Sequence, residues 1–188
     1  MKHRYCIMLV LLGIFTSCSQ KLYQKDDYPF YDKNFTLGKS SHLRTDGVYV
    51  LDRIWTGRDG GTEKKADKHR FFKFYAAGQS NSFEDVAKSI VTDEQYIAAV
   101  LKDGQPKDHT LFEGYYKLKE NKIIIQNRVV PRGLFQYEYG YVEEDMLIIV
   151  KATHEGNGSF DDKYFTDYYK EYYVFKPLGG VSDIVPQW

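Results

Sequence analysis

The sequence predicts a mainly β protein, an eight-stranded antiparallel up-and-down barrel with one short helix. Three observations favour this class: short runs alternate between apolar and polar residues, tight turns separate several of them, and aromatic residues make up 16% of the 188 residues. Alternation with a period of two gives each run one core-facing side, and aromatic side chains favour strands. Such a meander protects its edges by closing on itself.

One long polar loop separates the first predicted strand from the next two. Residues 47–55 alternate and are rich in β-branched and aromatic side chains, which predicts the first strand. Residues 56–68 combine glycine with many charges and predict a loop. Residues 69–84 predict two further strands that turn near Ala77 and Gly78.

The stretch at 92–104 predicts the helix. Thr92 or Asp93 can cap its start, and Gly104 can end it. Between these ends, four apolar side chains recur at helical spacing: Tyr96, Ile97, Val100 and Leu101. We therefore expect a short amphipathic helix with one face against the barrel.

The second half of the chain predicts two tight hairpins and a final strand. In the first hairpin, Glu120 and Asn121 form the turn, and Asn121 tolerates a positive φ. In the second hairpin, Glu143 and Glu144 form the turn. The five predicted strands are 109–119, 122–130, 133–142, 145–153 and 165–178.

Alternation also assigns a face of each strand to the barrel interior, and charged residues fall on that face. Arg53, Arg70 and Glu171 share their faces with aromatic residues, and a buried charge requires a partner or a ligand. An eight-stranded barrel holds side chains or one small ligand. The competing prediction is a solid interior in which the arginines pair with Glu171 or Asp167 at the rim. The predicted ligand-binding residues are Arg53, Trp55, Arg70, Phe72, Tyr137, Tyr139, Glu171 and Tyr173.

The N-terminus has the features of an export signal. A basic start precedes an apolar run from Cys6 to Phe15, which is shorter than the ~20 residues that a membrane-spanning helix needs. The run ends in Phe15-Thr16-Ser17-Cys18, which resembles the bacterial lipoprotein box. The resemblance implies cleavage after residue 17 and acylation of Cys18, with palmitate among the acyl chains. The alternative is an ordinary signal peptide with a coincidental cysteine.

The lipoprotein resemblance also implies a location and a domain layout. Ser19 follows the cysteine, and in the sorting rule of that family this favours the outer membrane, on its periplasmic or its outer face. We expect residues 18–45 to form a lipidated tether, 46–178 the barrel domain and 179–188 a C-terminal tail. The aromatic middle of the tether can lie against the domain.

Three stretches are similar to the lipocalin-like barrels, which include lipoproteins of the Gram-negative envelope. DGVYV at 46–50 is similar to the opening of the first lipocalin strand, the 56–68 loop stands where that family has its large first loop, and TDYYKEYYVF at 166–175 is similar to its Thr-Asp-Tyr box. This resemblance implies a small amphipathic or hydrophobic ligand in a barrel cavity.

Composition and motifs argue against other classes of function. Lysine plus arginine and aspartate plus glutamate number 26 each, so no net charge attracts nucleic acid. The sequence contains no recognisable catalytic, zinc or phosphate-binding motif, which predicts no enzyme, no metal and no cofactor. The four histidines after residue 18 are scattered and are predicted to be surface or turn residues: His42, His69, His109 and His154.

Two functions therefore remain open. The first is an envelope-anchored barrel that binds a small amphipathic ligand. The second is a non-enzymatic interaction protein whose solid barrel docks to a larger outer-membrane assembly. In that case, the docking surface would include outward aromatic residues such as Phe71, Tyr75 and Tyr115.

Overall fold

The computed structural model describes residues 25–38, 41–107, 113–129, 134–166 and 168–188. Within these ranges the protein has nine strands, one α-helix and three short 3₁₀ helices (Lys25–Asp27, Gly57–Asp59 and Asp162–Tyr164). The helix α1 spans Asp93–Asp103. The strands are β1 Gly47–Thr56, β2 Glu63–Lys65, β3 Arg70–Phe74, β4 Gln79–Glu84, β5 Glu113–Lys119, β6 Lys122–Val129, β7 Leu134–Glu143, β8 Met146–Thr153 and β9 Tyr169–Pro177.

Eight of these strands form a closed antiparallel barrel, which confirms the predicted fold. The order is β1-β3-β4-β5-β6-β7-β8-β9, and β9 returns to pair with β1 from Gly47↔Pro177 to Thr56↔Tyr169. The ninth strand, β2, lies inside the predicted 56–68 loop and pairs with β1 from Arg53↔Lys65 to Trp55↔Glu63. The prediction of a plain loop there is wrong, because the second half of β1 extends past β3 and needs a partner for its free edge.

The predicted turns and helix ends agree with the structure, apart from small shifts. Glu120 rather than Asn121 takes the positive φ, at 58°. The second hairpin turns at Glu144 and Asp145, one residue later than predicted. Thr92 caps α1 by accepting a hydrogen bond from the Gln95 backbone N–H.

The barrel has an apolar core inside and a second apolar core on its outer surface. The outer core forms because α1, the N-terminal segment, the 154–166 loop and the C-terminal tail cover one side of the sheet. Interior residues include Tyr49, Leu51, Phe72, Phe74, Tyr116, Ile123, Ile125, Leu147, Tyr173 and Phe175. Outer-core residues include Tyr28, Phe30, Phe71, Tyr75, Tyr96, Val100, Tyr115, Tyr137, Tyr139, Phe165 and Trp188.

The aromatic middle of the predicted tether packs against the barrel. The Phe30 backbone N–H donates to Gln126 Oε1 at 3.0 Å, and Tyr28 is 3% exposed. Farther along the segment, Leu43 is buried in the interior core, and Phe35 packs edge-on against Tyr116. The segment therefore closes the barrel end that carries the tight hairpin turns.

Candidate functional site

The opposite end of the barrel contains a charged cluster centred on Arg70. Arg70 is the first residue of β3, and its side chain faces the interior, as predicted. Its Nη2 lies 2.6 Å from Glu138 Oε1 on β7, and its Nη1 lies 3.5 Å from Glu171 Oε2 on β9. Its Nε donates to Ser82 Oγ on β4 at 2.9 Å. One guanidinium therefore links three strands to β3.

Hydroxyl and amide groups complete this cluster, which we call the Arg70 cluster. Tyr173 donates its hydroxyl to Glu171 Oε2 at 2.6 Å, and Tyr169 donates to the other oxygen of Glu171. Asn127 Nδ2 donates to Glu138 Oε2 at 3.2 Å. The members of the Arg70 cluster are Arg70, Ser82, Asn127, Glu138, Tyr169, Glu171 and Tyr173.

Most of the cluster is withdrawn from water. The Glu138 side chain is 2% exposed and that of Glu171 is 11% exposed, whereas the Arg70 side chain keeps 17% of its surface in solvent. Burial lowers the pKa of Arg70, but the carboxylates of Glu138 and Glu171 outweigh it and raise the pKa overall. Burial also raises the pKa of Tyr173 well above its usual value. Arg70 is therefore always charged, and Tyr173 stays a neutral donor.

Aromatic rings fill the barrel interior beyond the cluster. The Arg70 guanidinium lies over the Phe72 ring at 4.7 Å, and the Phe72 ring contacts that of Tyr173 at a centroid distance of 5.0 Å. The contacts continue from Phe72 to Phe74 at 5.8 Å and from Phe74 to Tyr116 at 5.3 Å. The middle of the interior is thus packed with rings, and the polar site lies at one end of the barrel rather than deep inside it.

Arg53 and Trp55 do not face the interior, so their predicted placement is wrong. A β-bulge interrupts the pairing of β1 with β9 between Leu51 and Arg53, and it shifts the alternation by one residue. Ile54 therefore packs on the interior core. Arg53 lies on the outer surface instead, over the Tyr172 ring at 4.5 Å.

The outer positions of Arg53 and Trp55 are held by polar contacts. Arg53 pairs with Asp52 at 3.0 Å and with Glu63 at 2.8 Å. The Trp55 indole N–H donates to the Gly61 carbonyl at 2.6 Å. The extra strand β2 therefore supplies a partner for the arginine that was predicted to need one inside the barrel.

Tyr137 and Tyr139 also lie on the outer surface, contrary to the prediction. Tyr137 packs against Phe30 at 5.7 Å, and Tyr139 packs against Tyr164 at 4.9 Å. The predicted alternation of β7 is correct, but its apolar face is buried under the covering segments rather than inside the barrel. The opposite face carries Glu138, which was not among the predicted site residues and is the most buried carboxylate of the cluster.

His69, in the loop between β2 and β3, makes two polar contacts that the sequence pattern did not indicate. Its Nδ1 lies 2.9 Å from Asp85 Oδ2, and its Nε2 lies 2.7 Å from the Tyr96 hydroxyl on α1. Its side chain is 16% exposed, so it is not a surface histidine. A hydrogen bond from the Ile90 backbone N–H lowers the pKa of Asp85, and the His69 contact adds to this effect.

A cleft lies beside the Arg70 cluster, next to His69. It has a volume of about 320 Å³, and Arg70 is one of its lining residues. The remaining lining residues are Asp67, Lys68, His69, Glu84, Asp85, Val86 and Lys88. The exposed part of Arg70 therefore borders a depression large enough for a small molecule.

The aromatic surface predicted for docking is buried within the protein. Phe71, Tyr75 and Tyr115 are 0%, 1% and 2% exposed. Phe71 stacks on Phe83 at 4.4 Å, and Tyr115 contacts both Tyr28 and Trp188. These three residues therefore hold the covering segments in place, and the prediction that they face solvent is wrong.

Cys18, Asp167 and His109 lie outside the described residues. Within the described ranges, no helix has both the length and the apolar character needed to cross a bilayer. The same ranges contain no group of three or more histidine, cysteine, aspartate or glutamate side chains placed to hold a metal ion.

The fold and the site together define a closed, eight-stranded antiparallel barrel with an aromatic interior and a charged cluster at one end. No protein-family model, curated protein or solved structure matches this chain.

Proposed function

We propose that this protein is a lipid-anchored protein of the bacterial envelope that binds a small amphipathic molecule at the Arg70 end of its barrel. It acts as a binding protein, without a cofactor. Two features support this function: the lipoprotein-like sequence that ends at Cys18, and the Arg70 cluster beside aromatic rings.

The placement of three charged groups in a mostly buried cluster is the observation that carries the proposal. Replacing a buried ion pair by apolar residues is often neutral or stabilising, so such a cluster is weak evidence for stability. Clusters of this kind are common at functional sites. The cleft of about 320 Å³ that Arg70 lines would hold the rest of the ligand, as in ordinary small-molecule sites.

Native mass spectrometry of the protein purified from its own host tests the proposal. We expect a co-purified small molecule on the wild-type protein and on Arg53→Met, which removes an arginine from the outer surface. Tyr169→Phe removes one hydroxyl of the cluster and should reduce the bound fraction. A folded wild-type protein that carries no small molecule would contradict the proposed binding function.

The proposed anchor would hold the barrel close to the membrane. Six residues separate Cys18 from Lys25, the first described residue of the docked segment. A fully extended chain of this length reaches only ~25 Å. Acyl chains on Cys18 would therefore keep the domain within one domain diameter of the bilayer surface.

Cell fractionation of cysteine variants tests the anchor. Cys18→Ala should move the protein from the membrane fraction to the soluble fraction and remove the acyl mass from the mature chain. Cys6→Ala is the matched control, because it changes a cysteine within the predicted signal peptide and should leave the anchor intact. Equal membrane retention of Cys18→Ala would refute the proposed lipidation.

A further inference from the structure

The interior face of the barrel contains two buried oxygen atoms without a hydrogen-bond partner among the described residues. Ser80 Oγ and Asn127 Oδ1 are buried and have no hydrogen-bond partner among the described residues. Ser80 is 0% exposed, and Asn127 is 9% exposed. Buried polar atoms are nearly always paired, so each of these two oxygens calls for an explanation.

The two unpaired oxygens lie on either side of a glycine. Gly114 on β5 pairs with Ser80 on β4 and with Asn127 on β6, so all three residues share the interior face. A Cβ at Gly114 would lie 1.8 Å from the Gln126 carbonyl oxygen and 2.8 Å from Asn127 Oδ1, so only glycine fits there. As a result, β5 contributes no side chain between the two oxygens.

The charges of the cluster are also unbalanced. Arg70 carries one positive charge, whereas Glu138 and Glu171 carry two negative charges, so the formal charge of the cluster is −1. Glu84 lies opposite Arg70 on the neighbouring strand β4 and adds an exposed carboxylate at the rim of the barrel. Lys68 and Lys88 lie nearby and line the neighbouring cleft. A net charge in a mostly buried site is unfavourable unless a counter-charge accompanies it.

From these observations we infer that the polar end of the ligand is a protonated amine. The inference rests on the proposed function and names its class of ligand. An ammonium group has three N–H donors and no acceptor, which suits the carboxylates of Glu138 and Glu171 and the free oxygen of Asn127. Its positive charge balances the formal charge of the cluster. A carboxylate or a phosphate would add to the negative charge.

Isothermal titration calorimetry with three probes of similar size tests the inference. The probes are 2-phenylethylamine, 2-phenylethanol and 3-phenylpropionate, which differ mainly in the charge of the polar end. At pH 7 we expect the purified protein to bind the amine at least tenfold more tightly than the alcohol, and not to bind the carboxylate measurably.

Variants of the cluster show where the amine binds. Glu138→Gln removes one negative charge and should weaken amine binding at least tenfold. Glu143→Gln, at an exposed position on the same strand, is the matched control and should not change binding. Asn127→Ala removes the unpaired oxygen without changing a charge and should also weaken amine binding, which provides a second test if Glu138→Gln does not fold.

The outcomes separate this inference from the proposed function. Equal or tighter binding of the alcohol or the carboxylate overturns the inference but leaves a small-molecule site. Amine binding that survives in both cluster variants also overturns it. If none of the probes binds, the inference fails. If native mass spectrometry also finds no co-purified molecule, the proposed function fails as well. A co-purified molecule that bears an amine supports both.

Discussion

Raising the pH from 8 to 10 should stabilise this protein relative to its Lys73→Met variant, because Lys73 is buried and no carboxylate of the described residues contacts it directly. Its side chain lies under the C-terminal tail and is 0% exposed. Its Nζ donates to the carbonyl oxygens of Thr45 and Val181 and lies 5.2 Å from the Tyr75 ring centre. Burial lowers the pKa of Lys73 from 10.5 to about 8, and the charge of Asp46 opposes this shift only in part.

The sign and size of the effect follow from this shift. The folded state has the lower pKa, so the unfolded state binds more protons between pH 8 and 10.5 and stability rises with pH there. One pKa unit corresponds to 1.36 kcal/mol, so the contribution of Lys73 to the free energy of unfolding should increase by roughly 2 kcal/mol between pH 8 and 10. The tyrosines oppose this gain as the pH approaches 10, because burial raises the pKa of several of them, that of Tyr49 to about 12, and they ionise first in the unfolded state.

Urea unfolding at constant ionic strength measures this free energy at each pH. For a protein of this size, roughly 2 kcal/mol corresponds to a rise in Tm of ~4–8 °C. Lys73→Met is the control, because it lacks the buried amine and keeps every tyrosine, so the difference in stability between the two proteins isolates the effect of Lys73. The reasoning is refuted if the wild-type protein gains no stability relative to Lys73→Met from pH 8 to 10.

Three other substitutions test the packing, each by its effect on the free energy of unfolding in urea. Gly114→Ala should lower the free energy of unfolding by more than ~2 kcal/mol, because the new Cβ would overlap a carbonyl oxygen. Gly179→Ala should be tolerated, because a Cβ at that position meets nothing within 4 Å. Equal effects of the two substitutions would contradict the close approach of β5 and β6. Tyr96→Phe should lower the free energy of unfolding by ~1 kcal/mol, because it removes the hydrogen bond between the Tyr96 hydroxyl and His69. Tyr168→Phe should change the stability less, because Tyr168 is 78% exposed. Phe74→Ala should destabilise by ~3–5 kcal/mol, since the Phe74 ring is fully buried in the interior, and a loss below ~1 kcal/mol would argue against a filled barrel.

The strands and the helix were predictable because their signals are local. Alternation fixes where a strand runs, Thr92 and Gly104 fix the helix ends, and Gly78 marks a turn. Closure of the barrel was also predictable, since a meander of eight strands would otherwise expose two edges.

The candidate site was only partly predictable, because alternation does not identify which face of a strand is inside. The inward directions of Arg70 and Glu171 followed from the pattern, but a single bulged residue reversed the direction of Arg53. On β7 both faces are buried, one inside the barrel and one under the covering segments. The aromatic face that contains Tyr137 was therefore wrongly predicted to face the barrel interior. Glu138 was missed for the same reason, since a carboxylate opposite tyrosines is usually solvated.

The pairing of β1 with β9 determines when the protein can fold during its synthesis. These two strands are more than a hundred residues apart in sequence, and they share nine residue pairs. A nascent chain that has emerged only as far as β8 leaves one edge of β1 without its partner. The barrel therefore closes only after β9 has left the ribosome, and such distant pairing makes closure slow. A chain that folds this late stays unfolded until its last strand is made, which is the state that the proposed export would require.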